Sequence, residues 1–186
     1  MSDDTENWGA LSELPGNPLM WVLILSELMV FGAFFAAFSV SRVLHPAMFL
    51  ADQVRLDRLV GGVNTMLLLT SGLAAALAVN ARGMGDIRRC RLWLGGAALL
   101  GLGFLGVKLA EYSDKAAQGF GIETDTFWTL FYLMTGFHAA HVVLGLVIMA
   151  IVVWKPSLEN VETCVSFWHM VDLIWVLLYP IVYLIR

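Results

Sequence analysis

Five runs of this sequence, at about residues 18–41, 59–80, 92–111, 127–154 and 165–185, are each apolar over the roughly 20 residues that an α-helix needs to cross a bilayer. Hydrocarbon offers the backbone no hydrogen-bonding partner, so a segment that crosses it must satisfy its amides internally, as a helix does. The connections are too short for a soluble domain. The pattern therefore predicts an all-α fold, an integral membrane helix bundle with five transmembrane helices. Residues 1–186 form one membrane domain in this reading, with a short acidic tail at 1–17. That tail carries no lysine or arginine and the apolar run after it is too long for a signal peptide's core, so the first helix is expected to persist in the mature protein.

A chain that is 59% hydrophobic and 14% charged has few polar side chains to place inside a membrane, which makes each of them informative. Glu27 lies well inside the first run. Asn64 and Thr65 lie in the second. Lys108 and Glu111, three residues apart, are neighbours on one helix face and read as a pair at the membrane rim, a lysine reaching toward water beside its partner. His138 and His141 lie near the middle of the fourth run. His169 and Asp172 share a face of the fifth, flanked by Trp168 and Trp175. On the first helix, Gly32 with Ala36 and Ala33 with Ala37 give small-residue spacings at which another helix is expected to pack closely.

Three functions compete for Glu27, His138, His141, His169 and Asp172. A metal or haem site would use the histidines, but a di-metal carboxylate bundle needs two Glu-x-x-His pairs and the sequence has none. A transporter or proton relay would use the carboxylates, but there is no inverted repeat or pair of broken helices. The third reading is an intramembrane polar network that fixes helix packing and presents a surface to another membrane subunit, and it requires only that each polar group find a partner. No nucleophile with its base, phosphate loop or zinc motif is present. A net charge of −4 with no basic tract argues against nucleic acid as a partner.

Arg82, Arg88, Arg89 and Arg91 crowd one short loop, which marks it as cytoplasmic. The full tally is nearly balanced, but the dense cluster sets the expected orientation: N-terminus cytoplasmic, C-terminus periplasmic. Cys90 and Cys164 fall in connections on that same side and are expected to be reduced, labelled from the cytoplasm and not joined in a disulfide.

Five segments carry a resemblance. The SFWHMVDLIWVLLYPIVY stretch at residues 166–183 is similar to the last helix of subunit III of the haem–copper oxidases, with its W-H-F-V-D-x-x-W pattern. FYLMTGFHAAHVV at 131–143 resembles the penultimate helix of that family, LSELMVFGAFFAAF at 25–38 the helix with its S-E-x-x-F-F pattern, and NTMLLLTSGLAAALAV at 64–79 the helix that follows; KLAEYSD at 108–114 corresponds to the end of the next. The long form of the family has seven helices. Five fit its short bacterial form, and the ending of this chain looks more like the nitric-oxide-reductase-associated kind, with subunit III of a quinol or cytochrome c oxidase as the alternative. The resemblance implies a non-catalytic subunit of the bacterial inner membrane. It would bind no redox cofactor, pack on a catalytic haem–copper subunit, hold phospholipid and support assembly, stability or proton uptake. It also implies that Glu27 is the family's intramembrane glutamate and that His138, His141, His169 and Asp172 are its buried polar residues.

Overall fold

The helices are delimited by the residues that close their ends, and those lie outside the apolar runs. The computed structural model describes residues 18–185, so the acidic tail at 1–17 lies outside the described residues. α1 runs Pro18–Leu44, α2 Pro46–Gln53, α3 Arg58–Gly83, α4 Ile87–Ala117, α5 Thr126–Trp154 and α6 Leu158–Tyr179, and a π-helical turn at Pro180–Leu184 follows. The residue before each of the last four helices is an N-cap. Asp57 accepts from the Leu59 amide at 2.8 Å, Asp86 from Arg89 at 2.9 Å, Asp125 from Trp128 at 3.0 Å and the Ser157 hydroxyl from Asn160 at 3.1 Å. α3 and α4 end on glycines in the left-handed region, Gly85 and Gly119. The next amides, of Asp86 and Phe120, reach back to the Ala81 and Lys115 carbonyls at 3.0 Å each, the Schellman arrangement. The spans thus extend beyond the ranges that hydropathy alone predicts, α4 by several residues at both ends.

α1, α3, α4, α5 and α6 (continued to Leu184) are long and apolar enough to cross a membrane, so the described residues form an all-α, five-span bundle. α3, α4, α5 and α6 pack as a ring, α3 on α4, α4 on α5, α5 on α6 and α6 on α3; α1 is laid against α5 and α6. α6 is the most enclosed span. Its Trp168 ring occupies the space that glycines leave on two neighbours: a Cβ on Gly101 of α4 would lie 2.8 Å from it, and one on Gly145 of α5 would lie 2.6 Å from it. The Trp168 indole donates to the Ser71 hydroxyl of α3 at 3.0 Å, which in turn donates to the Ala97 carbonyl of α4 at 2.8 Å. One side chain thereby ties α6 to all three other helices of the ring.

Three expectations need correction. The small residues Gly32, Ala33, Ala36 and Ala37 are exposed, and a Cβ on Gly32 would meet nothing, so no helix among the described residues covers that face. Between the first two apolar runs, where the hydropathy pattern predicts only a connection, lies α2, begun by Pro46 and buried through Phe49, Asp52 and Gln53. Cys90 and Cys164 lie within α4 and α6 and are buried free thiols, shielded from a labelling reagent on either side.

Candidate functional site

The polar residues singled out from the sequence fall into separate places. Glu27 of α1 and His141 of α5 meet at 3.1 Å, Oε2 to Nε2. His141 Nδ1 lies 2.8 Å from the Phe137 carbonyl, which only accepts, so Nδ1 carries a hydrogen. Nε2 is therefore the ring nitrogen turned toward the carboxylate. The Phe31 and Phe137 rings pack edge-on to His141 at 5.7 and 4.6 Å, and the Glu27 side chain is 20% exposed.

His138, one turn earlier on α5, does not join them. It is fully buried with neither ring nitrogen hydrogen-bonded, held among Trp175 at 5.2 Å, Phe104 at 5.6 Å and Phe31 at 6.3 Å. Asn64 of α3 is likewise buried with its amide unpaired. His169 and Asp172 of α6 lie 3.6 Å apart, Nδ1 to Oδ2, with the carboxylate inside and the imidazole 47% exposed. The two histidines considered as ligands thus diverge, one toward aromatic rings and one toward Glu27. Among the described residues no three His, Cys, Asp or Glu side chains converge on a metal-sized space.

The pair placed at the rim is inside the bundle. The Lys108 side chain is 1% exposed, so it does not reach water, and its ammonium donates to Glu111 at 2.8 Å and to the Tyr183 hydroxyl at 2.7 Å. Tyr183 donates in turn to Glu111 at 2.9 Å. Around the ammonium stand the rings of Phe131 at 4.7 Å, Tyr112 at 5.1 Å, and Trp175 and Tyr183 at 5.3 Å, each close enough for a cation–π contribution. Tyr183 reaches this place because Pro180 lacks the amide that would continue α6, and the chain turns as a π-helix. Within and just past this turn, the Val182 and Ile185 carbonyls accept from the Gln53 amide of α2 at 3.0 Å each. Sequence reasoning found Lys108 and Glu111 by their spacing. It missed Tyr183, which lies 75 residues away and is signalled only by the proline three positions before it.

At the two ends, charged side chains close the helices. Arg91 donates to the Val153 and Trp154 carbonyls at 3.0 and 3.2 Å, the last two of α5, and Arg82 donates to the Pro156 carbonyl in the connection to α6. At the opposite end Asp52 is buried on α2 beside Trp128 and Asp125, with Arg55 at 3.4 Å. Burial, and then the neighbouring Asp125 carboxylate, hold the Asp52 carboxyl above its ordinary range, against the pull of Trp128 and Arg55.

These groups join helices. A family model described as cytochrome c oxidase subunit III matches residues 17–185. Cytochrome c oxidase subunit 3 of Thermostichus vulcanus is 32% identical over 173 residues, covering 88% of this chain and 84% of that protein. The protein of the same name from Bacillus subtilis is 30% identical, with 88% and 83% covered. Cytochrome bo(3) ubiquinol oxidase subunit 3 of Pseudomonas aeruginosa is 29% identical, with 88% and 82% covered.

Proposed function

Because the chain belongs to the cytochrome c oxidase subunit III family, we propose that it serves as the non-catalytic third subunit of a respiratory terminal oxidase, bound in the membrane to that enzyme's catalytic haem–copper subunit. Its role in this reading is to support the assembly, stability or proton uptake of its partner. The observation that carries it is the disposition of the polar groups: Glu27 with His141, and Lys108 with Glu111 and Tyr183, are each spent on one another across helix boundaries. The nitric-oxide-reductase association suggested by the sequence ending has less support, since the relatives above are named for cytochrome c and ubiquinol oxidases. The location proposed is a bacterial inner membrane, with the 82–91 arginine cluster in the cytoplasm and the whole chain acting as one membrane domain.

The test is purification in mild detergent through an N-terminal tag. A haem–copper subunit is expected to co-purify, and its haem spectrum will distinguish a cytochrome c oxidase from a quinol oxidase or a nitric oxide reductase. Recovery of the chain with no haem-carrying partner would overturn the proposal.

A further inference from the structure

α2 is an eight-residue helix between two spans, with no side chain capping its start, so it is held by what it touches and not by its own helix propensity. Three of its residues are buried, and they face different elements. Phe49 packs edge-on to Phe38 of α1 at 5.1 Å and to Phe127 of α5 at 5.4 Å. Gln53 donates to the Val182 and Ile185 carbonyls, in and just past the C-terminal turn. Asp52 is turned to the start of α5. The two polar ties differ in kind, since an amide keeps its hydrogen bonds at any pH and a carboxyl does not.

The groups that face Asp52 come from two sides. From α5 they are Asp125, close enough to share a hydrogen bond with it, and Trp128. From the residues just after α2 there is Arg55, 3.4 Å away and half exposed, with its guanidinium 4.8 Å from the Phe120 ring. Phe120 in turn stacks on Trp128 at 4.8 Å. The charged residue that α1 brings here, Arg42, lies instead on the groove beside Gln53 and Leu50, and Tyr183 of the C-terminal turn is spent on Lys108 and Glu111. Two carboxyls at hydrogen-bond range fit together while one of them carries a proton. With both ionised they repel, in a place where Asp52 is buried and its one cation stands half in water.

Asp125 is the less free of the two to move, because its carboxylate caps α5 through the Trp128 amide at 3.0 Å. The side that yields is therefore α2. We propose that α2 is an acid-locked strap: with a proton shared between Asp52 and Asp125 its last turn is seated on α5, and with both carboxyls ionised that turn lifts and withdraws the Gln53 amide from the Val182 and Ile185 carbonyls. The released segment is the one that carries Tyr183 to Lys108, so acidity at this end of the bundle is coupled to the closure of the lysine cage. In the orientation proposed above, this end faces the periplasm. Burial and then Asp125 hold the Asp52 carboxyl above its ordinary range, which sets the window. Unlatching begins as pH rises out of the ordinary carboxyl range and levels off above the folded-state titration.

The test is amide hydrogen exchange, read by mass spectrometry on the full chain in lipid nanodiscs between about pH 4 and about pH 8 and corrected for the intrinsic pH dependence of exchange. The amides of Val54, Arg55 and Leu56, bonded to the Leu50, Asp52 and Gln53 carbonyls, report the last turn of α2; that of Ile185, bonded to Pro180, reports the C-terminal turn. Both are expected to lose protection together as pH rises, by no more than about tenfold per pH unit, the limit for one proton. Asp52→Asn is expected to abolish that dependence at both places. Asp125→Asn, which keeps a good helix cap, is expected to flatten it without fraying α5. Gln53→Leu should leave the pH dependence of α2 in place and remove that of the C-terminal turn. The wild-type titration carries the test where a variant does not fold. Protection independent of pH in the wild type, a pH dependence that survives Asp52→Asn, or a C-terminal turn that stays protected while α2 opens would each overturn the strap.

Discussion

Lys108 illustrates what a charge requires inside a helix bundle. An ammonium out of reach of water needs its anion, its remaining hydrogen bonds and a polarisable wall, and here Glu111, Tyr183 and four aromatic rings supply them. Removing one member of such a pair strands the other. Glu111→Ala is therefore expected to cost about 3–5 kcal/mol, read as loss of thermal stability or of recoverable protein in detergent. Tyr183→Phe keeps the ring but deletes the hydroxyl and should cost about 1–3 kcal/mol. A Glu111→Ala chain as stable as the wild type would refute this account of the cluster. Asp52 makes the opposite prediction in pH. Its carboxyl is raised in the folded state by burial and by Asp125, so its contribution is most favourable where it is protonated and is lost as pH rises through the folded-state titration. Asp52→Asn should therefore gain stability relative to wild type at about pH 8, and the difference should shrink on lowering the pH toward about 4. A difference independent of pH would show that the corner between α2 and α5 does not titrate this way.

At the scale of the element, α6 is held by what its neighbours omit. Trp168 lies where Gly101 and Gly145 have no side chain, and Tyr179 lies where Gly61 has none, with a Cβ there falling 2.6 Å from its ring. Gly145→Ala is expected to overpack this contact and cost about 1–3 kcal/mol, while the same change at Gly95, where a Cβ would meet nothing, should be close to neutral. Equal melting temperatures for the two variants would argue against the wedge. Legibility follows the same physics. The five spans were readable because twenty apolar residues in a row have few other uses. Their ends were readable only in part, since Asp57, Asp86, Asp125 and Ser157 are helix-start signals that a hydropathy window passes over. α2 is too short and too mixed to show periodicity. Which glycine receives which tryptophan depends on helix rotation, which composition does not encode. The small-residue stripe on α1 had the spacing of a packing face, and no partner among the described residues packs on it.

For the whole molecule, the alternation of spans brings the 84–86 and 155–157 connections to one end, where Arg82 and Arg91 reach across to α5. The buried native thiols give little background, so Met84→Cys and Ile122→Cys, both at exposed positions, make a clean pair of topology probes. The first is expected to react with a membrane-impermeant reagent from the cytoplasm and the second from the periplasm; the reverse pattern would invert the orientation. At this scale the candidate site was only half legible. Each member of the expected network was visible in the sequence, yet Glu27, His138, His141, His169 and Asp172 resolve into two pairs and an unpartnered His138, because side chains on different helices meet only as the crossing geometry allows. The closing of the lysine cage also sets an order of events during synthesis. A ribosome delivers α4 to the membrane long before it makes Tyr183, 75 residues downstream of Lys108. Until then the nascent helix must carry its cation across the insertion machinery with only Glu111, one turn away, as counter-ion. The turn that seals this buried charge is translated long after the charge itself. A chain stopped at Tyr179 would keep nearly all of its five hydrophobic segments and still present membrane proteases with an unfinished interior.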